Sequence, residues 1–232
     1  MTILKHVRSA RLSGALVLLV CDLCVVAFGA SSPGRGASVK NAGQQDIRAF
    51  FKGTGKTVLT FIGYSGAGYE DENSLRKHAE AVLGEFSPAK TIVNIGATPD
   101  GIGAIYEIAK RKGFVTTGIV SSQAKEYNVA LSPHVDHVFY VTDATWGGFL
   151  TGTKQLSPTS KAMVENSDIV VGVGGGEVAR DELIEAKRLG KKVRFIPADM
   201  NHQKTRDSAR KKKQPEPVDF RGAADAAFAE RK

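Results

Sequence analysis

Short apolar runs alternate with helical patterns along most of this chain, and that alternation limits the folds open to it. The apolar runs cover residues 57–63, 91–95, 115–120, 137–141, 169–173 and 193–196. Helical patterns at 70–84, 101–112, 159–166 and 178–189 lie between most of them. Continuous apolar strands that alternate with amphipathic helices predict a mainly parallel sheet covered on both faces. We therefore expect an α/β fold: a doubly wound sheet in a three-layer α/β/α sandwich.

The first thirty residues are patterned as an export signal. Lys5, Arg8 and Arg11 precede a largely apolar stretch that ends in small residues. Asp22 within that stretch disfavours a permanent anchor, because a charge at the centre of a membrane helix costs roughly 2.5–3.5 kcal/mol. We expect residues 1–30 to be a cleaved signal and the protein to be periplasmic or secreted. The alternatives are an uncleaved membrane anchor and a misassigned start codon, which would leave the protein cytoplasmic.

Thiol and metal chemistry are both disfavoured by the positions of the candidate ligands. Cys21 and Cys24 both lie in the predicted signal, so the mature chain would hold no cysteine. His134 and His137 frame Asp136, but no third ligand is indicated nearby. We predict no metal site and no resident cofactor.

The net charge of +8 is concentrated at the two ends of the chain. Residues 1–30 carry +2 and residues 201–232 carry +4, which leaves only +2 for the 170 residues between them. The folded body therefore shows no electrostatic footprint for nucleic acid, and we expect none as a partner. Residues 31–55 read as a linker, 56–200 as the domain, and 201–232 as a basic, flexible tail.

A GTGKT sequence at residues 53–57 resembles part of a phosphate-binding P-loop. It precedes a predicted strand instead of following one, so no helix N-terminus is placed to receive phosphates. We therefore interpret it as part of the linker.

The glycine block at residues 174–179 has the spacing G-x-G-x-x-A and stands between a strand and a helix. Asp199 follows Ala179 by twenty residues, which is the spacing of a dinucleotide-binding fingerprint. Carboxylates at Glu177, Asp181 and Glu182 would, however, crowd the position of a pyrophosphate. NAD(P) binding through this block and Asp199 stays open as an alternative.

Three stretches, in the right order, resemble the Lonely Guy (LOG) proteins, often labelled "lysine decarboxylase". Residues 167–183 (SDIVVGVGGGEVARDEL) align without a gap to a pattern that resembles one in the family. That pattern is Ser-Asp, then five apolar-rich residues, then PGG-x-GT-x-x-E, and finally a leucine. Residues 94–120 resemble its glycine loop, helix and following strand, and residues 61–69 (FIGYSGAGY) resemble its first strand and G-S-S-x-G loop. The similarity spans roughly residues 56–197. The counterparts of family glycines and serines are Gly63, Ser65, Gly66, Gly96 and Gly103.

The resemblance implies a Rossmann-like core of the nucleotide-binding superfamily that also includes the DNA-processing protein DprA. It further implies a phosphoribohydrolase, which splits the bond between a base and ribose 5′-monophosphate, and a homodimer. Glu182 matches the family's catalytic glutamate, and Gly175 and Gly176 match its paired glycines. We expect the phosphate of a nucleotide or nucleoside phosphate on the loops at 63–66 and 174–176. A carboxylate facing the sugar would stabilise the positive charge that develops in N-glycosidic cleavage.

The chain also departs from the family pattern. Gly174 replaces its proline, Val178 and Ala179 replace its Gly-Thr pair, and Thr159-Ser160 replace its Arg-Lys pair. The catalytic arginine of the family is therefore absent here, and Arg180 is the nearby cation that could substitute for it. Three functions stay open: a phosphoribohydrolase, a non-catalytic nucleotide sensor or carrier, and an NAD(P)-binding protein.

The loop after the predicted fourth strand, VTDATWGGF at residues 141–149, should lie at the same edge of the sheet. Asp143 could accept hydrogen bonds from ligand hydroxyls, and Trp146 could stack on a base. Packing of the loop is the alternative role for Trp146.

Overall fold

The computed structural model describes residues 36–228. The predicted export signal with both cysteines lies outside this range, as do residues 229–232. The described chain forms one seven-stranded, fully parallel sheet with the strand order β1-β5-β4-β3-β2-β6-β7. This confirms the predicted α/β, doubly wound architecture. The strands are β1 Ser38–Asn41, β2 Thr57–Gly63, β3 Thr91–Ile95, β4 Val115–Ser121, β5 His137–Val141, β6 Ile169–Val173 and β7 Lys192–Ile196.

Helices follow most of the strands and cover both faces of the sheet. They are α1 Gln44–Thr54, α2 Glu72–Gly84, α3 Ala104–Arg111, α4 Gln123–Glu126, α5 Pro158–Glu165, α6 Glu177–Arg188, α7 His202–Lys211 and α8 Ala223–Phe228, with a 3-10 turn at Gly101–Gly103. Several begin at side chains that accept a hydrogen bond from the first turn: Asp71 for α2, Ser157 for α5 and Asn201 for α7. Helix α6 has no such cap.

The two faces of the sheet bury separate cores, since side chains alternate along each strand. On one face, Leu59, Phe61 and Val171 pack against the apolar sides of α2 and α3. On the other face, Val58 and Phe139 pack against α1 and α5, and α6 and α8 extend that layer beside β6 and β7. The result is the predicted three-layer sandwich.

The linker predicted for residues 31–55 is wrong over most of its length. β1 extends the sheet by pairing with β5, and α1 buries Ile47 and Phe51 against the sheet. The GTGKT sequence forms the end of α1, a turn at Gly55 and the start of β2, so it does precede a strand. All four β1 residues are exposed, and α1 buries only two side chains. The apolar signal of both elements was therefore too weak to be recognised.

The flexible tail predicted for residues 201–232 is also wrong as far as residue 228. Helix α7 follows β7, and α8 packs on α6 with Ala224 fully buried. The Ala224 amide donates to the Gly175 carbonyl at 3.0 Å, and the Met200 amide donates to the Phe220 carbonyl at 2.9 Å. These contacts use backbone groups and alanines, which leave no apolar periodicity in the sequence.

Residues 36–228 contain neither a membrane-spanning helix nor a cluster of metal ligands. No helix in this range combines the length and the apolarity needed to cross a bilayer. No group of three or more His, Cys, Asp or Glu side chains in the same range is arranged to hold a metal ion. Asp136, between the two histidines, accepts from the Lys110 ammonium at 2.7 Å and from the Thr116 amide at 2.9 Å.

Candidate small-molecule binding site

A cavity of about 560 Å³ opens at the carboxyl ends of β2, β3, β4 and β6. Strand β2 lies between β3 and β6. On one side of β2 the sheet continues with β3, β4, β5 and β1, and on the other side it continues with β6 and β7. Loops diverge at such a switch point in doubly wound sheets and leave a crevice where ligands bind. We call this space the switch-point cavity. Its volume lies within the range of roughly 300–1,000 Å³ that is usual for small-molecule sites.

The structure brings seven of the eleven predicted site residues to this cavity. They are Gly63, Ser65, Gly66, Gly96, Trp146, Gly176 and Glu182. The other four, Gly103, Asp143, Gly174 and Gly175, lie close by but do not line it.

The loop after β2 is held by a tyrosine. The Tyr69 hydroxyl donates to the Val173 carbonyl at 2.8 Å and accepts from the Tyr64 amide at 3.1 Å, which ties the end of β2 to β6. A Cβ at position 63 would collide with that hydroxyl and would lie 2.6 Å from the Val173 carbonyl. Gly63 is therefore required for packing. The amides of residues 65–67 donate to no acceptor within the described chain, so they are available to a ligand.

The glycine block after β6 divides into two structural glycines and one that faces the cavity. Gly174 has φ +52°, and a Cβ there would lie 2.5 Å from the Tyr64 ring. Gly175 has φ +128° and gives its carbonyl to the Ala224 amide. Nothing lies within 4 Å of the Cβ position of Gly176, which is the N-cap of α6. Only the third glycine of the block therefore borders open space in the cavity.

The first turn of α6 supplies a second set of available amides. No side chain caps this helix, and the amides of residues 177–179 have no acceptor among residues 36–228. Unsatisfied amides at a helix N-terminus carry a partial positive charge and favour an anion. Residues 65–67 and 177–179, whose amides have no acceptor among residues 36–228, thus line one cavity.

Glu182 lies one turn further along α6 and is only 4% exposed. Its Oε1 accepts a hydrogen bond from the Ser160 hydroxyl on α5, with 2.6 Å between the oxygens. The Ser160 oxygen in turn accepts from the Gly148 amide at 2.7 Å. Burial raises the pKa of Glu182 to about 7; the Ser160 hydrogen bond lowers it in part and neighbouring Asp181 raises it. The carboxyl group therefore titrates near neutral pH.

Asp143 does not line the cavity, and its carboxylate already accepts hydrogen bonds inside the protein. It accepts from the Thr145 amide and hydroxyl, each at 2.8 Å, and from the Thr159 amide at 2.8 Å in the first turn of α5. Burial alone would raise the pKa of Asp143, but the hydrogen bonds from Thr159 and Thr145 lower it below its ordinary value. Asp143 orders the loop and joins it to the first turn of α5.

Thr159 lines the cavity, but its hydroxyl oxygen is closed off from solvent, and a rotation of the side chain would be needed to turn it toward a ligand. Thr159 is 5% exposed, and its Oγ1 makes no hydrogen bond within the described chain. The hydroxyl approaches the Asp143 carboxylate and helps to lower its pKa, but the two groups do not meet with hydrogen-bonding geometry. Buried polar groups are normally paired, so this hydroxyl is a candidate ligand contact.

An aromatic pair stands at the mouth of the cavity. Trp146 is 53% exposed, and its ring lies 5.8 Å from that of Tyr127, with 34° between the ring planes. Trp146 and the half-exposed Val129 both line the cavity. Three exposed apolar side chains therefore lie together where a ligand would enter, and the loop-packing alternative leaves about half of the Trp146 surface uncovered.

The charged side chains that line the cavity are all acidic: Asp100, Glu177 and Glu182. Arg180, the proposed substitute cation, does not line it. Its guanidinium pairs with Asp181 at 2.8 Å, and Asp181 also accepts from the Phe149 amide. Within the described chain, backbone amides are therefore the groups in the lining that can attract an anion.

The glycine block and Asp199, the two parts of the predicted dinucleotide fingerprint, do not lie at one site. Asp199 lies in a separate groove of about 1,510 Å³ beside β7, where its carboxylate is 3.5 Å from His202 Nε2. Gly175 is covered by α8, and a Cβ at Gly222 would collide with the Gly175 carbonyl. The spacing match in the sequence therefore does not place Gly176 and Asp199 around one cavity.

Sequence reasoning found the glutamate but missed the residues that hold it. In the sequence, Thr159 and Ser160 stand out only because they replace the basic pair of the LOG pattern. Glu182 and Ser160 are 22 residues apart and meet across the α5–α6 contact, so no local pattern links them. The remaining predicted glycines have structural positions: Gly96 borders the cavity, and a Cβ at Gly103 would collide with the Thr98 carbonyl.

No protein-family model and no curated protein matches the chain. The structural-genomics target TM1055 is 21% identical, with 59% of this chain and 72% of that one covered and a TM-score of 0.43. The molybdenum cofactor carrier protein of Chlamydomonas reinhardtii is 20% identical, with 60% and 76% covered and a TM-score of 0.44. DprA of Streptococcus pneumoniae is 10% identical, with 79% and 64% covered and a TM-score of 0.44. Likeness at this level carries no functional conclusion, and membership in the LOG family stays a prediction.

Proposed function

We propose that the switch-point cavity binds a small phosphorylated nucleoside. One observation carries the proposal: two sets of unpaired amides and the buried Glu182 carboxyl open into the same cavity. The amides of residues 65–67 and 177–179 would hold the phosphate, as helix N-termini and glycine loops do in other folds. No lysine or arginine is needed in the lining for this mode of binding.

The inner part of the cavity suits the nucleoside. The second oxygen of Glu182 is a polar group that sugar or base atoms could satisfy, and the unpaired Thr159 hydroxyl is another once its side chain rotates toward the cavity. Trp146 at the mouth offers an aromatic face for a base. The ligand would thus place its anionic end on the amides and its ring against the exposed indole.

Hydrolysis of an N-glycosidic bond is the second candidate function, and the position of Glu182 favours it. Cleavage develops positive charge on the sugar, which a nearby carboxyl group can stabilise. Thr159 and Ser160 stand where the LOG pattern has its arginine and lysine, and no side-chain cation from residues 36–228 lines this site to hold a substrate. Binding is therefore our main proposal, and hydrolysis is an additional activity to be measured.

The test is calorimetric titration of the purified protein with AMP, GMP, CMP and UMP. Inorganic phosphate and the four nucleosides serve as comparison ligands. We expect at least one monophosphate to bind at least tenfold more tightly than its nucleoside and than phosphate alone. Equal binding of nucleoside and monophosphate would contradict the amide site, and no binding by any of the four would contradict the ligand class.

A parallel assay separates binding from hydrolysis. The protein is incubated with each monophosphate, and free base is measured by chromatography. Release of base that stops in Glu182→Gln would establish the hydrolase. Binding without base release would leave a sensor or carrier.

A further inference from the structure

The hydrogen bonds around Ser160 fix which way its hydroxyl points. The Gly148 amide donates to the Ser160 oxygen at 2.7 Å, so this contact uses an acceptor position of that oxygen. The hydroxyl proton is then free to point at Glu182 Oε1, which is 2.6 Å away. The amide leaves the serine oxygen a second acceptor position, but among residues 36–228 the Ser160 hydroxyl has no acceptor other than Glu182 Oε1. The direction of the bonds is therefore amide to serine and serine to glutamate.

This direction decides where the proton of a neutral Glu182 resides. Oε1 already accepts the Ser160 proton, so the acid proton belongs on Oε2. Oε2 accepts no hydrogen bond from residues 36–228, and the Glu182 side chain lines the switch-point cavity. A protonated Glu182 therefore presents an O–H donor to whatever fills the cavity.

Within the part of the chain that the structure describes, no cationic side chain compensates a negative charge on Glu182. On its own helix, Asp181 is acidic, and Arg180 is turned onto Asp181. On α5, the Lys161 ammonium is directed to Glu165 at 3.8 Å and its side chain is 54% exposed.

The loops that contribute to the same region are also acidic. Asp143 precedes α5, Asp100 lies in the loop after β3, and Glu177 begins α6 with 82% of its side chain exposed. Burial and the negative charge of Asp181 favour the uncharged acid and raise the pKa of Glu182 to about 7.

We infer that Glu182 enters the cavity as a hydrogen-bond donor whose proton lies on Oε2, because Ser160 occupies Oε1, and that the ligand presents an acceptor to Oε2. An unprotonated ring nitrogen or a carbonyl oxygen of a base has the required chemistry. Ser160 is a positioning residue, because it acts on the ligand only through Glu182. The ligand class rests on the proposed function, whereas the donor state of Glu182 does not.

The donor state is tested on the free protein by infrared difference spectroscopy between pH 5 and pH 9. The carboxylic acid band of Glu182 is identified by its absence in Glu182→Gln. We expect it to disappear with a midpoint near pH 7. Titration near the ordinary value of 4.5, or no acid band at pH 6, would overturn the inference.

The positioning role of Ser160 is tested in the same experiment. The hydrogen bond from Ser160 lowers the pKa of Glu182, so Ser160→Ala should shift the midpoint upward by roughly one pH unit. Ser160→Thr, which keeps a hydroxyl, should restore the original midpoint. An unchanged midpoint in Ser160→Ala would assign Ser160 a purely structural role.

Binding of AMP at pH 6 and pH 8.5 tests what the donor does. An acceptor ligand prefers the protonated acid, so affinity should fall by at least tenfold between these values, and by no more than about thirtyfold. Glu182→Gln keeps an N–H donor and should hold its affinity within about threefold at both values, while Glu182→Ala should bind weakly at both. The AMP phosphate titrates equally in all three proteins, which removes its contribution from the comparison.

The outcomes separate this inference from the proposed function. If Glu182→Gln binds AMP as poorly as Glu182→Ala, the cavity requires a carboxylate and the donor inference is wrong. If the infrared midpoint is near pH 7 but none of AMP, GMP, CMP and UMP binds, the donor state stands and the proposed ligand class fails.

Discussion

The Tyr69 hydroxyl occupies the position that a side chain at residue 63 would need. From there it bonds to the Val173 carbonyl on β6 and to the Tyr64 amide at the end of β2. The sequence suggested that Gly63 is a phosphate-contacting glycine. In the structure, Gly63 makes room for the tyrosine that fastens the two strands flanking the switch point.

Gly63→Ala should therefore destabilise the protein by about 2–3 kcal/mol, since the added methyl group has no space to move into. Urea unfolding measures this loss. Gly66→Ala is the control, because nothing lies within 4 Å of its Cβ position and its stability should change by less than about 0.5 kcal/mol. In the Tyr69→Phe background the cost of Gly63→Ala should be smaller; equal costs in both backgrounds would rule out the hydroxyl as the cause.

Gly176→Asp should increase stability and abolish binding of monophosphates. An aspartate at the N-cap of α6 can accept from the amides of the first turn, which are the groups assigned to the phosphate. The gain over glycine should be a few tenths of a kcal/mol, and affinity for the best monophosphate should fall at least tenfold.

The control for this change is Gly53→Asp, which adds the same charge at an open position on α1. Helix α1 leads into the amino end of β2, so the control lies at the opposite end of the sheet from the cavity. Its affinity should equal that of the unmodified protein. Retained binding in Gly176→Asp would show that the phosphate does not use the α6 amides.

Glu182→Gln should stabilise the protein at pH 8 but not at pH 4.5. The pKa of Glu182 is raised from 4.5 to about 7, so between these values the folded state holds a proton that the unfolded state has released. Stability then falls as pH rises through this window, by up to about 3 kcal/mol for a shift of this size. Glutamine does not titrate and avoids the loss.

Urea unfolding of both proteins at pH 4.5 and pH 8 measures the difference. Glu177→Gln is the matched control, because the Glu177 side chain is 82% exposed. Its effect on the free energy of unfolding should be the same at pH 4.5 and pH 8. An advantage of Glu182→Gln that does not grow with pH would indicate an unshifted carboxyl group.

Thr159→Val should separate binding from stability. Valine has the shape of threonine without the hydroxyl, and the hydroxyl has no partner within the protein. Its removal should leave the free energy of unfolding unchanged or slightly higher. Affinity for the best monophosphate should fall about fivefold, the value of one ordinary hydrogen bond. Urea unfolding measures the stability and calorimetric titration measures the affinity of the same preparation. An unchanged affinity would show that Thr159 does not contact the ligand.

The sequence predicted the central strands well because they are buried on both faces. β3, β5 and β6 begin and end where the apolar runs do, since every residue in a strand of that kind contributes to the pattern. β1 has no buried residue, and α8 is fixed by a backbone bond to Gly175, so neither leaves a recognisable apolar signal.

The site was predictable in its location and not in its contacts. Parallel strands end at one edge of the sheet, which is why the loops after β2 and β6 and Glu182 meet. The engagement of Asp143 with Thr145 and Thr159 depends on how one loop folds over α5, and no spacing rule contains that information.

The bond between Ala224 and Gly175 has a practical consequence for work on this protein. Removing the last basic stretch to improve expression would also remove α8 and uncover the glycine turn that leads into α6. A shortened protein that binds poorly would then report damage to this turn, and such a loss should not be attributed to the missing lysines and arginines.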